Sequence, residues 1–95
     1  MDLNKLEDTL TKLFIEPNGT FDEEKDTYTI VLEDSDKFAQ FYSLLDLNDS
    51  LTLLESGSMT GEFASVLKFG SDDYTFTLNA NFLDNYYSLV VEEIK

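Results

Sequence analysis

The stretch Tyr74-Thr75-Phe76-Thr77-Leu78-Asn79-Ala80-Asn81-Phe82 places every apolar residue on one parity and every Thr or Asn on the other. Strict alternation of this length is the mark of a β-strand with one buried face and one wet face. Working outward, the run from Ser50 to Lys95 reads as four successive strands: Leu51 to Ser56, Gly61 to Phe69, Asp73 to Phe82 and Tyr86 to Ile94. Gly57-Ser58, Gly70-Ser71-Asp72 and Asp84-Asn85 stand where turns are needed. Connections this short join only antiparallel neighbours, so the C-terminal half is expected to be a meander. Its inward residues are expected to be Leu51 and Leu53, then Phe63, Leu67 and Phe69, then Tyr74, Phe76, Leu78 and Phe82. In the last strand both parities are apolar, and either Tyr87, Leu89 and Val91 or Tyr86, Val90 and Ile94 face the core.

The N-terminal half supplies the cover. Leu3, Leu6, Leu10 and Leu13 recur at intervals of three and four, with Phe14 widening the stripe, and predict an amphipathic helix over residues 2–15. Asp2 is its N-cap, and Asp8 with Lys12 makes an i, i+4 pair on the wet side. Pro17 holds Glu16 out of the helical region, and Pro17-Asn18-Gly19 is turn chemistry, so the helix stops there. Two heptads of leucine are fewer than a coiled coil requires, which leaves the protein's own sheet as the partner. Thr20 to Glu24 and Thr27 to Glu33 are arms of a hairpin turned at Lys25-Asp26, the first arm being either strand or loop. Asp34-Ser35-Asp36 then caps a second helix over residues 36–46, whose inner face carries Phe38, Phe41, Tyr42 and Leu45. The expected fold is a single α+β domain over residues 1–95: an antiparallel sheet of five to six strands with two amphipathic helices packed on one face.

Composition narrows the function. The 95 residues contain no Cys and no His, so the usual general base, the most reactive nucleophile and Cys-based zinc sites are missing. Ser43, Ser65 and Ser88 lie on no recognisable nucleophile turn, and there is no glycine-rich phosphate loop. A non-enzymatic protein without cofactor is expected. Asp22-Glu23-Glu24-Lys25-Asp26 and Asp34-Ser35-Asp36 are rich in oxygen, but neither has the alternating acids, central Gly and distant Glu of an EF-hand loop. They read as a solvated turn and a helix cap, with no metal. No basic leader or long apolar run is visible, and the expected location is the cytoplasm of a bacterial or phage-infected host cell. Outside a secretory route the sequons at Asn18 and Asn48 carry little meaning.

Charge is the strongest functional signal. Twenty acidic residues against six lysines give a net charge of −14, while 42% hydrophobic and 14% aromatic content require a packed core. The charge therefore sits on a folded surface, where it repels phosphates and anionic membranes and attracts basic protein surfaces. It exceeds the magnitude of roughly 2–8 that solubility asks of a small domain. Carboxylates at i and i+2 on one strand face would lie about 6.6 Å apart, comparable to successive phosphates along a nucleic acid strand. The wet face Thr75, Thr77, Asn79 and Asn81, continued by Thr27 and Thr29 if those strands are neighbours, reads as the ordinary solvated side of a one-layer sheet.

In size, acidity and lack of catalytic residues the chain resembles, as a functional class, the small anti-restriction and anti-CRISPR inhibitors with which phages and mobile elements block nucleases. The expectation is a stoichiometric inhibitor, monomeric or a small homo-oligomer, that occupies the basic nucleic-acid-binding surface of a nuclease or defence effector by mimicking DNA or RNA, and binds no nucleic acid itself. The expected contact residues are Asp22, Glu23, Glu24, Asp26, Asp34, Asp36, Asp72, Asp73, Asp84 and Tyr86, with Tyr87 or Leu54 as further apolar anchors. Two alternatives use the same features: an immunity protein or antitoxin that neutralises a cognate basic toxin, and a structural subunit that assembles through the flat sheet.

Overall fold

The structure is a computed structural model that describes residues 1–58 and 64–94. In chain order it comprises α1 (Leu3–Lys12), β1 (Thr20–Asp22), β2 (Thr27–Leu32), α2 (Ser35–Asp46), β3 (Thr52–Ser58), β4 (Ala64–Gly70), β5 (Tyr74–Asn81) and β6 (Tyr86–Glu93). The strands form one antiparallel sheet in the order β1-β2-β6-β5-β4-β3. Both helices lie on the same face, because Leu6, Leu10 and Leu45 share one core cluster with the inward residues of β2, β4, β5 and β6. This is an α+β fold with a C-terminal meander.

The decisive stretch behaves as its alternation predicts. Tyr74, Phe76, Leu78 and Ala80 are buried, while Thr75, Thr77, Asn79 and Asn81 lie on the uncovered face. The register resolves the last strand: Val91 stands opposite Phe76, Leu89 opposite Leu78 and Tyr87 opposite Ala80, so those three face the helices. Tyr86 and Ile94 are half-exposed. Each large side chain buried here stabilises the fold by about 1.5–3 kcal/mol relative to leaving it in water.

Several expectations are corrected. Phe82 is half-exposed because the chain leaves the ladder after the Asn81–Tyr86 pair, and its ring rests edge-on against Tyr87 instead of entering the core. Leu53 is also half-exposed; it lies on an edge strand whose register shifts between Leu53 and Glu55. Gly57 and Ser58 are not a turn: they pair with Val66 and Ser65 within β3. The inward placement of Phe63 and the strand start at Gly61 lie outside the described residues. The turn between β1 and β2 takes residues 23–26, closed by Asp26 in the left-handed region at φ 54°. Thr27 and Thr29 do not adjoin β5, because β6 runs between. Among the described residues the ion pairs are Met1 with Asp26 and Lys5 with Asp73, so Asp8 and Lys12 stay apart.

The largest departure is at the end of α1. Asp2 caps its start, accepting from the backbone of Asn4 and Lys5 at 3.0 and 3.2 Å. At the other end Ile15 N–H donates to Leu10 at 2.9 Å and Phe14 N–H to Thr11 at 3.0 Å, a Schellman closure with Phe14 where glycine usually stands. Phe14 takes φ 64° and is 85% exposed, so it widens no stripe; Ile15, turned back by the closure, is buried in its place.

Candidate functional site

The fold divides the ten expected contact residues between opposite ends of the sheet. Asp22 pairs with Thr27, Thr27 with Glu92, Glu92 with Thr75 and Glu93 with Tyr74. The β1–β2 turn, the β4–β5 turn and the C-terminus of β6 therefore emerge side by side. This end gathers Asp22, Glu23, Glu24, Asp26, Asp72, Asp73, Glu92 and Glu93. Strands in a sheet lie about 4.8 Å apart, so the row from β1 to β4 spans roughly 19 Å. Asp34, Asp36, Asp84 and Tyr86 lie at the opposite end, because Leu32 pairs with Tyr87 and Asn81 with Tyr86. An eight-residue strand such as β6 separates the two ends by roughly 23 Å.

The acids are therefore not spaced at i and i+2 along one strand face. They sit on turns and strand ends, where neighbouring strands set the spacing.

Local hydrogen bonds hold the acidic turns in shape. Asp22 Oδ1 accepts from the backbone of Glu24 at 3.0 Å and Lys25 at 3.2 Å. The Met1 ammonium donates to Asp26 Oδ1 at 3.3 Å and Lys5 Nζ lies 3.4 Å from Asp73 Oδ2, which brings the start of α1 to the same end. Both partners of the Lys5–Asp73 pair are about half exposed, so it orients the turn more than it stabilises it. Beneath lies Tyr74, with the Lys5 ammonium 6.0 Å from its ring centre. Its hydroxyl is buried without a hydrogen-bond partner among the described residues. Burial pushes its pKa up; Lys5 opposes this, while Glu93, Asp73 and Asp2 add to it. No cluster of three or more potential ligands among the described residues is arranged to hold a metal ion.

At the opposite end Asp34 is a helix cap, accepting from Lys37 N–H at 2.9 Å. Asp84 bonds with Asn81, accepting from its Nδ2 and donating its own N–H to Oδ1, each at 3.1 Å. Tyr86 is half-exposed beside Asn81. Of the other anchors, Tyr87 is buried between Phe38 and Phe82, with ring centres 5.9 Å away on each side, and is a core residue. Leu54 is half-exposed and covers Gly70.

Sequence reasoning missed a second feature. A hollow of about 420 Å³ opens between α2, the segment after α1 and the edge of β2, and an adjoining one of about 250 Å³ shares Phe14 and Leu44 with it. Exposed Phe14, Val31 and Leu47 stand around this trough. Only the halt before Pro17 hinted at it in the sequence. No protein-family model, curated protein or solved structure matches the chain. No helix among the described residues is long and apolar enough to cross a membrane.

Proposed function

We propose that the protein is a non-enzymatic inhibitor whose acidic sheet end occupies a basic, nucleic-acid-binding surface of a nuclease or defence effector in the cytoplasm of a bacterial or phage-infected cell. The observation that carries this reading is the gathering of eight carboxylates, from three separate pieces of chain, at one end of a fold with net charge −14. Turns tied by Asp22 and Asp73 present these charges without first having to be ordered, which lowers the entropy cost of binding. Charge of this density steers association and makes it sensitive to salt.

The test is capture from host lysate at low and moderate salt. A basic nuclease or effector released by rising salt, and displaced by added DNA or RNA, would support the reading; partners indifferent to both would end it. A captured toxin that binds no nucleic acid would move the same acidic end to an immunity role.

A further inference from the structure

The β2 strand is longer than its outer neighbour. β1 pairs with Thr27, Tyr28 and Thr29 only, whereas β6 follows β2 as far as Leu32 on the other side. Among the described residues no strand lies against the outer edge of Ile30–Leu32.

The preceding chain does not extend the ladder, whose pairing stops at Thr20 opposite Thr29. Gly19 closes tightly on β2, where a Cβ would overlap the Thr29 carbonyl and come within 2.8 Å of Ile30 Cγ1. Upstream of it, Pro17 has no N–H and Asn18 N–H is spent on Glu16 at 2.9 Å. The 420 Å³ hollow opens at this point. Four consecutive residues, Ile30 to Glu33, line it, and consecutive side chains alternate between faces, so the hollow meets the edge of the strand and its backbone.

Phe14 is the second, independent observation. An L-residue in the left-handed region is disfavoured, and a ring 85% exposed gains little from burial. The closure made there turns Ile15 into the core, but it needs no aromatic ring: glycine would make it without strain, and the exposed ring stands beside this edge. Phe41 and Leu44 of α2 also line the hollow, and Glu16 and Glu33 oppose Lys37 at its rim.

The geometry points to a docking groove for an extended, basic peptide segment of a partner protein, which adds as a strand to the free edge of β2. Its alternate apolar side chains enter between Phe14, Phe41 and Leu44, and its Lys or Arg residues meet Glu16 and Glu33. A second copy of this chain fits poorly, since each copy carries a charge of −14. The inference does not depend on the acidic end acting as a nucleic acid mimic.

The test is selection of binders from a displayed library of random seven-residue peptides at moderate salt. The expected winners alternate apolar residues with Lys or Arg and slow amide exchange at residues 30–33. They bind at least tenfold more weakly to Phe14→Gly and Phe14→Asn, two variants whose new residue tolerates the left-handed conformation. They also bind more weakly to Glu33→Lys, but keep their affinity within about twofold when Asp72 and Asp73 are reversed, because those charges lie beyond a Debye length of about 8 Å. Winners without that pattern, or winners unaffected by both Phe14 variants, would overturn the proposal. So would a dimer of this chain, seen by sedimentation, that Phe14→Gly dissociates.

Discussion

At the acidic end the backbone is closed by strand ladders and turn bonds while the side chains carry unbalanced charge. Along the outer edge of β2 the reverse holds: past Thr29 no strand among the described residues closes the backbone, and the charges of Glu16, Glu33 and Lys37 are nearly balanced around the apolar Phe14, Phe41 and Leu44. The first surface acts at a distance, through a field that salt screens; the second requires contact, through hydrogen bonds and desolvation. The two should therefore fail independently, and variants can separate them.

The largest effect is expected from charge. Reversing Asp22, Glu24, Asp72 and Asp73 together to Lys should weaken binding to a captured basic partner about 100-fold at low salt and flatten its salt dependence, as read by titration calorimetry. Reversing Asp34 and Asp36, at the far end, should cost much less. Equal losses from the two sets would erase the distinction between the ends.

Next comes Gly19, which seals the β2 edge up to the groove. Gly19→Ala forces a methyl group against the Thr29 carbonyl and should destabilise the fold by about 1–3 kcal/mol in urea unfolding.

Tyr74→Phe should raise stability by about 1 kcal/mol, because it removes a buried hydroxyl that lacks a partner among the described residues. It also carries a pH signature. Burial holds the folded pKa of Tyr74 above its ordinary 10, so the native state retains a proton that the unfolded chain releases first. This contribution is fully present below about pH 10 and is lost as pH rises from there through the folded value. In the Phe variant that part of the alkaline loss should disappear from the melting curves.

The smallest effect is the most telling about the groove. Phe14→Gly should raise stability by about 0.5 kcal/mol, since glycine takes φ 64° without strain, an advantage partly offset by its freer unfolded chain. A clear loss of stability would mean that the ring supports the fold and is not held out for a partner.

The contrast also shows where sequence reasoning stops. Alternation located β5 to within a residue because Thr and Asn mark its wet side without ambiguity. β6 was undecidable for the opposite reason: Tyr86, Tyr87, Leu89, Val90 and Val91 are apolar on both parities, and only the side on which the helices pack selects Tyr87, Leu89 and Val91. The leucine stripe revealed α1, but nothing in it revealed that Phe14 would close the helix in the left-handed region, a position where glycine is the usual signal. Of the contact residues, the acids were visible as acids. That Asp22 and Asp73 share one end while Asp34 and Asp84 lie at the other was invisible, since it depends on which strands pair.

The sequence by itself determined the class of fold, the charge and the want of His and Cys chemistry, because alternation, helical periodicity and composition are local properties of the chain. Strand order and register decided the rest. They brought residues 22, 73 and 93 to one end of the sheet, and they left Ile30 to Leu32 without an outer strand among the described residues because β1 ends its pairing at Thr29. Such juxtapositions arise between segments far apart in the chain, where no local pattern records them.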